Sequence, residues 1–184
     1  MIVGIIIAII VLIMIVSCVL TYNSLVKSRN YVEKSFADID VVLKERYDLI
    51  PNLVNTVKGY AKHESETLNK VIDLRAQAIK SNNVNEKVKI NNEITSSLGN
   101  LIAIAENYPN LKADTSFLSL QQSLKDIESK LAGFRITYNN TVTNFNNKIQ
   151  TFPNNIFASM FKFKQAELFV ITNQVERETV KVEF

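Results

Sequence analysis

Apolar and polar positions fall into two regimes along this chain. From Met1 to Leu20 (MIVGIIIAIIVLIMIVSCVL) all but two residues are apolar, none is charged, and the first charge anywhere is Lys27. About 20 apolar residues rising 1.5 Å each match a hydrocarbon core about 30 Å thick, so this block predicts a transmembrane helix. From Tyr22 onward the pattern changes to steps of three and four: Tyr22, Leu25, Arg29, Val32, Phe36, Ile39, Leu43, Arg46, Ile50, Leu53, Val57 and Tyr60. All but the two arginines are apolar, and a 3.5-residue period is the seam of a helix packed against other helices.

Pro51 interrupts that seam. Inside a helix proline deletes a hydrogen bond and clashes with the preceding turn, whereas in a first turn it costs nothing. Asp48, three residues earlier, is a good N-cap. Helix 1 is therefore expected to end near Tyr47 and helix 2 to begin around Leu49, with a single kinked helix through Pro51 as the alternative. Helix 2 then carries Leu68, Val71, Ile72, Arg75 and Ile79 to about Lys80, where Ser81-Asn82-Asn83 ends it. Asn83 with Glu86 resembles a capping box opening helix 3, and Tyr108-Pro109-Asn110 closes that helix. Asp114 or Thr115 can cap a long helix 4, whose stripe from Phe117 through Leu131 and Tyr138 to Ile149 stops at Phe152-Pro153.

The expected fold is all-α: an N-terminal transmembrane helix followed by an antiparallel four-helix bundle. Residues 1–21 form the anchor, 22–152 the bundle, 153–169 an amphipathic aromatic segment and 170–184 an irregular tail. Four helices return residue 150 to the bilayer surface. In the segment that follows, Ile156, Phe157, Met160 and Phe161 recur at helical spacing, with Phe163 beyond them and Lys162 and Lys164 interspersed. That suits a short helix at headgroup level; the alternative is that these aromatics cap the open end of the bundle.

Composition removes whole classes. Glycine and proline are too few, at 4 and 3 residues, for a sandwich or barrel. A lone Cys18 excludes a disulfide scaffold. The net charge of +3 has no basic run behind it, so nucleic acid is not an expected partner. A cleaved signal peptide wants a basic n-region and a shorter apolar stretch. Ile15-Val16-Ser17-Cys18 does loosely resemble a lipobox, which leaves acylation at Cys18 as an alternative to a retained span. Lys27, Arg29 and Lys34 follow the span and no basic residue precedes it, so the domain is expected in the cytoplasm and the N-terminus outside.

Candidate chemistry is sparse. The single histidine, His63, rules out paired-histidine zinc sites and Glu-x-x-His pairs, and no Gly-rich phosphate loop exists. No cofactor, metal or catalytic set is implied. Arg29 and Arg46 stand out because both lie on the apolar stripe. Either they snorkel with packed stems and wet heads, or they anchor a buried network with acids such as Asp48 or Glu64.

Several strings carry a resemblance. Tyr22-Asn23-Ser24-Leu25-Val26, Ile39-Asp40-Val41, Arg46-Tyr47-Asp48-Leu49-Ile50-Pro51-Asn52-Leu53-Val54 and Thr56-Val57-Lys58-Gly59-Tyr60-Ala61-Lys62-His63-Glu64, with Arg75 and Ala76, resemble the LemA family of bacterial membrane proteins. Tyr138-Asn139, Phe152-Pro153-Asn154 and Phe161-Lys162-Phe163 resemble its C-terminal signature. Phe36 stands where the family usually has tryptophan, Phe145-Asn146 replaces a second Tyr-Asn, and Lys162 replaces a glycine. These three departures are expected to be surface or packing changes.

The resemblance implies an N-terminal anchor and a helical domain without supplying an activity; some relatives look involved in organising intracellular membranes, and others have lipoprotein-type N-termini. It marks Arg46, Asp48, Pro51, Asn52, Gly59, Tyr60, His63, Glu64, Tyr138, Asn139, Phe152 and Pro153 as candidate interaction positions. Phe157, Phe161, Lys162, Phe163 and Lys164 are the candidate membrane-interface set. The leading expectation is a non-enzymatic membrane-anchored scaffold contacting lipid, itself, or a membrane or cytoplasmic protein. The alternatives are an adaptor of a membrane protease or signalling system, and an enzyme built on Arg46, Asp48, His63 and Glu64.

Overall fold

A computed structural model describes residues 1–61, 63–81 and 83–170. Residues 62 and 82, the latter within the expected Ser81-Asn82-Asn83 stop, and most of the expected tail, 171–184, lie outside the described residues. Every described element is helical: α1 (Ile2–Tyr60), α2 (Ser65–Lys80), α3 (Val84–Ala105), α4 (Pro109–Lys112), α5 (Thr115–Gln150) and α6 (Asn154–Met160).

The expected break at Asp48 is wrong. α1 is one helix of 59 residues with Pro51 inside it. Asp48 caps nothing; its carboxylate takes the Lys44 ammonium one turn back, at 2.6 Å. Proline at position 51 cannot donate to the carbonyl of Tyr47, which should leave that oxygen orphaned. In the structure Arg75 Nε of α2 donates to the Tyr47 carbonyl at 2.7 Å. A side chain from the next helix thus replaces the missing rung, and the helix continues. The reversal falls instead at Ala61–Glu64, after Gly59 and Tyr60, so the bundle still has four long rods with the first boundary moved along the chain.

The other boundaries follow their caps. Asn83 Oδ1 accepts from the backbone N–H groups of Asn85 and Glu86 at 2.9 and 3.2 Å, satisfying two orphan donors of α3. Glu86 does not complete a reciprocal box; it accepts from Ser81 Oγ at 2.7 Å and ties the α2–α3 turn. Pro109 opens the one-turn α4, and Asp114 Oδ1 caps α5 by accepting from Phe117 N–H at 2.9 Å.

The chain forms two compact units, and both α1 and α5 contribute to each. The larger comprises residues 40–132 with the start of the C-terminal segment. Its cross-helix contacts define an up-down-up-down bundle: Asp40 meets Lys87 and Arg46 meets Thr95, so α1 and α3 run parallel. Glu45 meets Lys130 and Tyr60 meets Asp114, so α1 and α5 run antiparallel. Leu43, Ile50, Leu53 and Val57 of α1, Val71 of α2, Ile94 and Leu101 of α3, and Leu131 of α5 are sealed from solvent. Each such side chain contributes about 1.5–3 kcal/mol on transfer from water.

The second unit comprises residues 1–39 and 133–168. Here α1 and α5 pair antiparallel, with Phe36 against Tyr138 and Lys148 against Ser24 and Ser28. Residues 1–20 remain exposed apart from a half-covered Cys18, and this stretch is long and apolar enough to cross a membrane.

Candidate functional site

Three clusters collect most of the positions singled out by the sequence. The first is a polar core in the larger unit. Arg46, 1% exposed, sits on the apolar seam and donates through Nη2 to Glu128 Oε1 at 2.5 Å and to Thr95 Oγ1 at 2.9 Å. Thr95 Oγ1 passes a bond to the Asn91 carbonyl at 3.0 Å, and Asn91 Nδ2 donates to the Tyr47 hydroxyl at 2.7 Å. Tyr47 is in turn fixed through its carbonyl by Arg75. Neither acid expected to meet Arg46 does so: Asp48 faces Lys44, and Glu64 accepts from the Tyr108 hydroxyl at 3.3 Å. Arg29, by contrast, behaves as a snorkelling residue, pairing with Glu33 in solvent while its guanidinium lies 5.6 Å from the Phe163 ring.

This core is built for orientation. Burial pushes the Tyr47 hydroxyl above its ordinary range, partly offset by the Asn91 bond. A buried guanidinium tied to one partly exposed carboxylate and a threonine holds α1, α3 and α5 in one register.

The second cluster lies at the α1–α2 reversal. Tyr60 donates to Asp114 Oδ2 at 2.9 Å, so the hydroxyl that ends α1 grips the residue that starts α5. The Phe117 backbone N–H, then the Tyr60 hydroxyl, hold the Asp114 carboxyl below its usual range. Asn52 and His63 are exposed, and open space surrounds the position a Cβ would take at Gly59. His63 is therefore not brought together with Arg46 or Asp48, as an enzyme built on those residues would require.

The third cluster occupies the smaller unit. Tyr138 donates to the Glu167 carbonyl at 2.9 Å, and Asn146 clamps Ala166 from both sides, accepting its N–H and donating to its carbonyl. These bonds lay the irregular stretch after α6 back along α5. Phe161 and Phe163 meet Tyr22 at centroid distances of 4.8 and 6.1 Å, and Phe163 also meets Phe145. Phe157 and Asn139 are half-buried, while Phe152, Pro153 and Lys164 are exposed. Helical spacing in the aromatic segment therefore extends only from Asn154 to Met160.

Lys162 corrects another expectation. Its φ of 57° lies in the left-handed region, where a Cβ costs about 1–2 kcal/mol and glycine costs nothing. The exchange of glycine for lysine there is a backbone change as well as a surface one.

Sequence reasoning missed Glu128, Thr95 and Asn91, and read Asp114 only as a cap, without its bond to Tyr60. Arg75 was on the stripe, but its role needed the reversal placed correctly. Positions 47 and 75 are symmetric about Ala61, so an antiparallel hairpin turning there sets them opposite each other. Among the described residues, no group of three or more His, Cys, Asp or Glu side chains is placed to hold a metal ion.

The LemA family model matches residues 35–184, which include all of the polar core and the C-terminal aromatic segment. The chain belongs to the LemA family. A LemA protein of Metamycoplasma hominis is 27% identical over 162 residues, covering 86% of this chain and 72% of that protein. Magnetosome protein MamQ 2 of Paramagnetospirillum magneticum is 22% identical over 181 residues, covering 84% and 66%. Magnetosome protein MamQ of Magnetospirillum gryphiswaldense is 22% identical over 199 residues, covering 89% and 73%. The motif from Arg46 to Pro51 that carried the resemblance is thus, in this chain, the segment joining a buried ion pair to the proline whose lost bond Arg75 replaces.

Proposed function

We propose that this member of the LemA family is a non-enzymatic, membrane-anchored scaffold whose helical domain binds itself or other proteins at the cytoplasmic membrane surface. One observation carries the proposal: three polar side chains of the family motif are engaged in tying elements together. Arg46 is held by Glu128, Tyr60 by Asp114 and Glu64 by Tyr108, while Asp48 pairs along α1 with Lys44. The relatives named as magnetosome proteins accord with work at a membrane. The cytoplasmic placement rests on Lys27, Arg29 and Lys34 following an uncharged N-terminal flank.

Cross-linking in native membranes tests the scaffold role, which calls for ladders of the chain or defined adducts with other proteins. A monomer with no adducts would sink it. Protease added to right-side-out vesicles should spare residues 30–184; digestion from outside would reverse the orientation and favour a lipoprotein acylated at Cys18. Replacing His63 by Ala should leave cellular function intact, and its loss in a folded variant would revive an enzyme.

The adaptor alternative has a specific surface behind it. A groove of about 370 Å³ in the smaller unit is lined by Ser28, Tyr31, Ser35, Thr137, Thr141 and Asn144, with Lys34 and Asp38 alongside. Its mixed polar lining suits a single protein partner, which would give one cross-linked adduct in place of a ladder.

A further inference from the structure

An exposed apolar stripe stands close in the fold to the point where α1 leaves its membrane-spanning stretch. Phe152 is 79% exposed, and Ile156 and Met160 are each 57% exposed. Ile156 and Met160 are four residues apart and so share one side of α6, while Phe152 is exposed in the turn just before it. The opposite side is used: Ala158 is buried and Phe157 half-buried. Phe161, the next residue after Met160, stacks edge-on against Tyr22, and Lys148 near the end of α5 bonds the Ser24 carbonyl and Ser28 Oγ. Tyr22 directly follows the 21 residues suited to the bilayer, so α6 is held within about a turn of the span's end.

The charge around this stripe is mostly positive, with Glu33 paired to Arg29. No Asp or Glu occurs from Lys130 to Ala166, and the first acid after the span on α1 is Glu33. Lys27 and Arg29 of α1, Lys148 of α5, and Lys162 and Lys164 beyond α6 all belong to this unit. Apolar side chains flanked by lysines are the composition that seats a segment between headgroups and acyl chains of an anionic leaflet.

We propose that Phe152, Ile156 and Met160 insert into the interface of the same bilayer that α1 spans, giving the domain a second, lysine-flanked membrane contact. The occupant is lipid because the patch is continuous, through Phe161 and Tyr22, with the anchor itself. A two-point attachment would restrict how the domain swivels on α1 and present its remaining faces in a fixed attitude to partners. The inference rests on α1 being a membrane anchor, and the experiment separates the two.

The test uses the full chain with Cys18→Ala, carrying one nitroxide at Ile10→Cys, Ser119→Cys, Ile156→Cys or Met160→Cys. Each is reconstituted in nanodiscs of phosphatidylcholine with phosphatidylglycerol, and collision rates with oxygen and with a water-soluble nickel chelate are compared. Labels at 156 and 160 should favour oxygen, as at 10, while the label at 119 favours nickel. Combining Lys162→Glu with Lys164→Glu should lower the docked-to-free ratio by roughly tenfold or more. If 156 and 160 read as water while 10 reads as lipid, the second contact is overturned and the anchor stands. If 10 also reads as water, the anchor fails and takes this proposal with it. Shielding of 156 and 160 from both reagents would mean that protein covers the stripe, and would equally overturn a lipid occupant.

Discussion

Replacing Arg75 by Met should destabilise the larger unit through a single carbonyl oxygen. Pro51 leaves Tyr47 O without its helical donor, and Arg75 Nε supplies one at 2.7 Å from the facing helix. Tyr47 is buried and the bond partly so, which limits the orphaned oxygen's access to water. Losing one partner of a buried hydrogen bond costs about 1–3 kcal/mol, so Arg75→Met should cost about 2 kcal/mol. In a domain of this size that is a fall of roughly 4–8 °C in Tm. The discriminating step is Pro51→Ala, which restores an N–H four residues after Tyr47. Alone it should stabilise by about 1–2 kcal/mol, the helix-interior cost of proline less the freedom alanine returns to the unfolded chain. In that background Arg75→Met should cost well under 1 kcal/mol, giving a coupling of about 1–2 kcal/mol. The assay is the thermal melt of all four full-length proteins in mild detergent, followed by circular dichroism. Equal costs of Arg75→Met with Pro and with Ala at position 51 would refute the idea that Arg75 serves the proline gap.

Removing Glu128 should hurt more than removing Arg46: Glu128→Gln leaves a buried guanidinium short of its counter-charge and should cost about 2–3 kcal/mol. Arg46→Met replaces that guanidinium by an apolar chain, releases a carboxylate that is 36% exposed into water, and should cost about 1 kcal/mol. The reverse order in denaturant melts would contradict the burial argument. Lys162→Gly should raise stability by about 0.5–1 kcal/mol by relieving a left-handed residue, less the entropy glycine adds to the unfolded chain. No gain in Tm would mean the strain is met elsewhere. Asp114 has a lowered folded pKa, so its stabilising contribution is complete above the ordinary carboxylate value and is lost as pH falls through the lowered one. Stability measured from pH about 5 down to about 2.5 should therefore decline less in Asp114→Asn than in the parent.

The sequence by itself determined the elements that depend on periodicity and composition. The uncharged 20-residue run, the 3.5-residue stripe from Tyr22, the Asn83 and Asp114 caps and the scarcity of glycine are local or statistical, and each led to the right kind of structure. They also placed both arginines on the seam and left open whether each was buried. Tertiary structure decided what depends on a neighbour distant in sequence. Pro51 reads as a helix start because its local chemistry favours a first turn over an interior. Only Arg75, 24 residues further on, supplies the hydrogen bond the proline lacks, and its reach depends on a reversal at Ala61 that has no proline to announce it. Arg46 could not be matched to Glu128 from spacing, since they lie 82 positions apart with α2, α3 and α4 between them. Lys162 shows the same limit in the backbone: a lysine gives no sign of a left-handed φ until Asn146 and Tyr138 have drawn the following residues back along α5. Periodicity reports which face of a helix is apolar; which side chain meets it is fixed only when the helices pack.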